Sequence, residues 1–330
     1  MEESGMKPQI FLIERIFPNI EILLNSLSTI GIKIIEKDQD EKKLIKIIEI
    51  LKRTGIEIIK KIPDDYFEDE NKKILVNSSI DNIEELFNSR YFTENNDIKI
   101  IQMVILIRES INSISKIGLY TAKIKNFYSI HKDETNSSSF IEIIINSLHE
   151  IGIYAAQKKY DNVVKHVFTA FQYISNSAFD TDIFDISEIE FPSIEEICTK
   201  AIMHGLESTM KECAYILQGI GFKVIEIRDD KLLIKILKMY NIIGEKAIRN
   251  NISTKMDILS SIKTIYMESL FTDFNEMIFS SYNTYLELSY QNNLDEVTNT
   301  IKDNLHEMRL EAVKKNNIEI INGIDNLLKK

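Results

Sequence analysis

The residues whose types could do chemistry are few. Asp64-Asp65-Tyr66-Phe67-Glu68 puts three carboxylates within five residues, and carboxylate oxygens in such a cluster can hold a hard cation. The competing reading is a solvated acidic turn, because Asp64 also stands nine residues after Gly55 in a recurring pattern described below. His149-Glu150 and His306-Glu307 each begin like the zinc-binding H-E-x-x-H helix, but Ile153 and Leu310 stand where the second His is required. The five histidines are scattered, with His149 and His166 expected to face each other across a turn at Asp161. Asp180, Asp182 and Asp185 are spaced like the start of a calcium loop. That loop wants Gly at its sixth position and Glu at its twelfth, where this chain has Asp185 and Phe191, so a structural loop is expected. Cys198 and Cys213, placed on one helix, would lie about 22 Å apart at 1.5 Å per residue, too far for a disulfide. Both are read as small packing residues. No Walker A, G-x-G-x-x-G or G-x-S-x-G sequence occurs.

The elements that must position these residues are helices. Only four prolines and ten glycines interrupt 330 residues, and apolar residues recur at helical spacing, as in Ile141, Ile144, Ile145, Leu148, Ile151 and Ala155. The informative feature is an internal repeat. Stretches starting at Leu27, Leu148 and Leu217 each open Leu-x-x-Ile-Gly and place Asp nine residues after the Gly: Gly31 and Asp40, Gly152 and Asp161, Gly221 and Asp230. Gly244 has Ser253 at the same offset. Asp and Ser there are expected to be N-caps, whose side-chain oxygen accepts an orphaned backbone N–H. Gly152, Ser175, Cys198, Gly221 and Gly244 are evenly spaced by 23 residues, so two modules make a 46-residue hairpin. An interior Gly costs roughly 1 kcal/mol relative to Ala. Its recurrence at 31, 55, 118, 152, 221 and 244 therefore points to close helix approach, extended by Ala155, Ala178 and Ala247.

The fold expected is all-α, stacked antiparallel helical hairpins with a helix period of about 23 residues. A flexible N-terminus over 1–10 precedes one helical-repeat domain over 11–330, with a degenerate acidic segment at 62–97 and loops near 131–139 and 179–193. Ser193 and Glu196 resemble a capping box after the second loop. Around Cys198 a second register is open, in which Gly205 takes the Gly position. Aromatic residues over 266–290, including Phe271, Phe274, Phe279, Tyr282 and Tyr285, either close the last repeat or form a partner surface.

Composition narrows the function classes. The formal net charge of −11 repels a phosphate backbone, so nucleic acid is not expected as a partner. The most apolar window, Ile98 to Ile107, is too short to cross a bilayer and contains Lys99. Two cysteines and an acidic N-terminus suggest a reducing, cytoplasmic setting.

The repeat resembles the α-solenoid class, such as armadillo- and HEAT-like proteins, which implies a non-enzymatic scaffold with a protein or peptide partner, self-association among them, and no cofactor. Asp64, Asp65 and Glu68 resemble the D-D-x-x-D/E pattern of class I terpene synthases, which implies magnesium and a diphosphate substrate held by those three residues. That motif's usual second half, Asn-Asp-x-x-Ser/Thr-x-x-x-Glu, is missing. A third reading is the soluble regulatory subunit of a membrane assembly.

Overall fold

A computed structural model describes residues 22–34, 41–62, 95–123, 140–179 and 186–329. Residues 1–10, Asp40, the acidic run Asp64, Asp65 and Glu68 with most of 62–97, the 131–139 segment, and Asp180, Asp182 and Asp185 lie outside the described residues. Among the described residues the chain is all-helical, with twelve helices and no strand. These are α1 (22–33), α2 (Glu41–Lys61), α3 (Asn95–Lys123), α4 (Phe140–Gln157), α5 (Asp161–Phe179), α6 (Ile186–His204), α7 (Glu207–Ile227), α8 (Asp230–Arg249), α9 (Lys255–Ser269), α10 (Asn275–Gln291), α11 (Asp295–Lys314) and α12 (Ile318–Leu328). None of them is long and apolar enough to cross a membrane. The sequence reads as one domain over 11–330, whereas contacts divide the chain into two compact units, 1–200 and 201–330.

Each unit is a stack of antiparallel hairpins in two layers. In the first, α3 packs on α5 in one layer and α2 packs on α4 in the other, with α4 and α5 forming a hairpin between layers. In the second, α7 packs on α9 and α9 on α11, while α8 packs on α10 and α10 on α12. Bonds between neighbouring repeats of the second unit join residues 43 to 47 apart, from Ser261 Oγ–Gln218 Oε1 to Ser261 Oγ donating to Ala214 O. In the first unit the equivalent reach is longer: Tyr160 Oη donates to Ile62 O across 98 residues.

The turns set this period. Lys159, Gly205, Arg228, Asn251, Asn293 and Asn316 all adopt positive φ, and Gly205, Arg228 and Asn251 are 23 residues apart. After each, the next backbone N–H reaches back into the helix just ended: Tyr160 to Ala155, Leu206 to Ala201, Asp229 to Val224, Ile252 to Ala247, Leu294 to Ser289 and Asn317 to Ala312. This is the Schellman arrangement, which satisfies orphaned carbonyls and reverses the chain in two residues. The small residues after the repeat glycines, Ala155 and Ala247, are its acceptors.

That geometry corrects the capping expectation. Because the residue after the left-handed one belongs to both helices, the N-cap falls one place earlier than the Gly-plus-nine rule puts it. Asp161 and Asp230 are first helical residues, and Asp229 is the N-cap, its Oδ1 accepting from Leu232 N at 3.0 Å. Ser253 caps nothing; its N–H and hydroxyl both donate to Glu207 of the neighbouring repeat. Ser193 sits inside α6 with Pro192, so helix replaces the expected loop from 186 onward. Gly205 is a turn residue with open space around it, which settles the register: buried Cys198 holds the repeat position.

At most repeat glycines an isoleucine of a neighbouring helix lies so close that an added Cβ would force its side chain to shift. A Cβ would meet Ile117 Cδ1 at 2.9 Å from Gly31, Ile174 Cδ1 at 2.7 Å from Gly118, Ile197 Cδ1 at 2.6 Å from Gly152 and Ile265 Cδ1 at 2.9 Å from Gly221. Gly55 differs, its nearest neighbour, Ile151 Cδ1, lying at an ordinary 3.4 Å.

Gly152→Leu and Gly221→Leu are expected to lose about 1–3 kcal/mol each by overpacking, seen as lower urea and thermal midpoints; unchanged midpoints in both would refute the close-approach account. The turns predict opposite signs at equivalent positions. Gly205→Ala should cost about 1 kcal/mol and Arg228→Gly should gain roughly 0.5–1 kcal/mol, measured by the same unfolding curves.

Candidate functional site

The residues with catalytic spacing are tied up between repeats. Glu150, after His149, accepts from Lys52 Nζ at 3.1 Å, and Glu307, after His306, accepts from Lys263 Nζ at 2.9 Å. His149 Nε2 lies 3.0 Å from Glu196 Oε2 on α6. Lys211 and Asp257 make a further strut, 2.7 Å long, from α7 to α9. Among the described residues no group of three His, Cys, Asp or Glu is placed to hold a metal ion. The candidate magnesium ligands Asp64, Asp65 and Glu68 are outside those residues.

Cys198 and Cys213 are both disulfide-bonded, against the expectation of two thiols. That expectation placed them on one continuous helix. The chain instead ends α6 at His204, turns through Gly205 and starts α7 at Glu207, so distance along the helix axis is no guide to their separation.

One buried acid escaped the sequence reading. Glu190 on α6 is fully buried, and the Ser175 hydroxyl of α5 donates to its Oε2, while Oε1 has no hydrogen-bond partner. Burial pushes this carboxyl well above the usual carboxylate range, favouring the neutral acid. Ser175 is therefore more than a small substitute in the glycine series: it is the hydrogen-bond partner of Glu190. The sequence signal was an acid among apolar residues in Ile-Glu-Phe.

In the aromatic region at 266–290 three tyrosines turn inward, while Phe271, Phe274 and Phe279 are half-buried and Tyr290 is exposed. Tyr240, Tyr266, Tyr282 and Tyr285 are fully buried and meet edge to face, with ring centroids 6.3, 5.6 and 6.0 Å apart in that order. Burial raises all four phenols, Tyr266 to about 12. Tyr285 Oη donates to Tyr240 O, tying one repeat to the next, and Tyr240 Oη donates to Ala214 O within its own hairpin. Gly244 makes this possible, since a Cβ there would stand 2.5 Å from Tyr285 Oη. Phe279 covers Gly323 in the same way.

These stacked hairpins and their struts define a helical-repeat protein. No family model matches the chain, and no curated protein matches it. It is similar to a solved "Circular tandem repeat protein with novel repeat topology and enhanced subunit contact surfaces", at 14% identity over 95% of this chain and 83% of that one, with a TM-score of 0.27. An overlap that low carries no argument, and the fold rests on the contacts above.

Glu190→Gln tests the buried acid. With a raised folded pKa, the contribution of Glu190 to stability is full below about 4.5, the ordinary value. It then falls by about 1.4 kcal/mol per pH unit as the unfolded chain ionises, until the folded pKa is reached. Glutamine keeps the hydrogen bond and removes the charge. Urea midpoints at pH 5 and pH 7.5 should therefore converge for the variant, which exceeds wild type at the higher pH.

Proposed function

We propose that the chain is a non-enzymatic interaction scaffold that binds a protein or peptide partner on its outward helix faces. The observation supporting this is the use of the chemistry-bearing side chains: Glu150 and Glu307 brace one repeat against the next, which leaves the outward faces as the surface open to a ligand. Those faces carry large apolar side chains in water, including Tyr173 at 57%, Met203 at 68% and Leu310 at 60% exposure. Helical-repeat proteins commonly use such extended surfaces for binding, and exposed aromatic and aliphatic groups supply contact area.

The setting proposed is the cytoplasm. It requires Cys198 and Cys213 as thiols, whereas both are bonded in the structure. Because both sulfurs are buried, acid quenching of cells followed by alkylation in denaturant decides: two adducts per chain fit a reducing compartment, and none places the protein in an oxidising one. For the scaffold itself, cross-linking in native lysate followed by mass spectrometry should return a protein in stoichiometric amount. Recovery of the chain alone, together with turnover of a small-molecule substrate, would defeat the reading.

A further inference from the structure

The outward face of α8 departs from the charge of the chain around it. Lys231, Lys235, Lys238, Lys246 and Arg249 project with Ile242 from the side opposite the buried Leu233, Ile236, Tyr240, Ile243 and Ala247. At 100° per residue the six fall within one narrow stripe, running 18 residues or about 27 Å. Lys231, Lys235, Lys238, Ile242 and Arg249 are exposed, and Ile242 stands 47% open in the middle of the row. Two acids of α8 border the stripe: Glu245, 3.8 Å from Arg249, and exposed Asp230, next in sequence to Lys231.

Helix stability does not account for this row. Cations belong near a helix C-terminus, which suits Lys246 and Arg249, but Lys231 is the second residue of α8, where the macrodipole disfavours it. Lys231 with Lys235, and Lys235 with Lys238, are like-charge neighbours one turn apart, which repel one another along the helix. A chain of net charge −11 thus carries a cationic ridge that weakens the helix bearing it.

We propose that this ridge is a docking site for an acidic amphipathic helix of a partner protein, a proposal that rests on the scaffold reading and names its ligand. The spacing 231, 235, 238, 242 is the four-three-four step of side chains that face a second helix in a coiled coil. Here carboxylates on the partner meet the lysines, and an apolar residue between them meets Ile242. Width selects a helix over a broader polyanion. On α10, the neighbouring helix of the same layer, Glu276 and Glu287 are exposed. Layer neighbours lie about 8–10 Å apart, so a nucleic acid duplex or a lipid surface laid on α8 would also press phosphates against those acids. A single helix, about 10–12 Å across, sits on the basic ridge alone.

The test uses the full chain and a fluorescent helix-forming peptide of roughly 20 residues, long enough to follow α8, with Glu at four-three-four spacing around one Leu. Anisotropy should show saturable binding that weakens between 50 and 200 mM salt. The variant Lys231→Glu/Lys235→Glu/Lys238→Glu should bind at least about tenfold more weakly. Should the triple reversal fail to fold by circular dichroism, Lys235→Gln/Lys238→Gln takes its place, with a smaller loss expected. Equal binding by wild type and folded variant overturns the proposal, as does equal binding of a peptide with the same residues scrambled. Tighter binding of single-stranded DNA or of anionic phosphatidylserine vesicles than of the peptide overturns the partner class. A lysate partner cross-linked equally by wild type and triple variant overturns the ridge while leaving the scaffold reading standing.

Discussion

Everything in this protein depends on keeping each helix in register with two neighbours at once: its hairpin partner and the equivalent helix of the next repeat. One phase relation does this. At three of the turns the residue seven places before the left-handed one is the one that the next repeat approaches, as Gly152 stands to Lys159, Gly221 to Arg228 and Gly244 to Asn251. Turn and contact are thus coupled through two turns of helix. One extra residue between them would rotate the contact by about 100° and bring a polar face against the neighbouring isoleucine.

Close approach has a consequence for the polar groups. Where backbones come together, hydroxyls can reach mid-helix carbonyls that already accept a helical bond, using their second lone pair. Tyr285 over Gly244 and Tyr240 onto Ala214 do so. Those bonds give the tyrosine-rich core of the second unit a directional element that a purely aliphatic interface lacks. The first unit has its own buried polar contact, Ser175 with Glu190, at the same repeat phase. Polar atoms in these interiors thus specify which repeat stacks where.

The same economy shapes the surface. Ionic struts such as Lys52–Glu150 and Lys263–Glu307 run along the stack, and exposed pairs of this kind contribute little individually. Their role is alignment, supplementing the apolar contacts beneath. What remains outward is unconstrained by packing and open to recognition, including the basic row on α8 in an otherwise acidic chain.

Periodicity made the helices, the 23-residue step and the 46-residue hairpin legible, because apolar faces and small residues recur wherever the same contact recurs. The candidate sites were less legible. His149 and His306 carry a local motif, but their glutamates' roles are set by lysines 98 and 44 residues away, distances that no local window spans. The turns were half visible: Asn251, Asn293 and Asn316 suit positive φ, while Lys159 and Arg228 give no sign of it. Cys198 and Cys213 were misjudged because a hidden turn at Gly205 interrupts the single helix along which their separation was reckoned. The sequence by itself determined the class of element and its repeat, since both follow from local geometry repeated many times. Only the tertiary structure decided which carboxylates brace, which tyrosines face inward and which row of lysines faces water, because each depends on a neighbour supplied by a distant repeat.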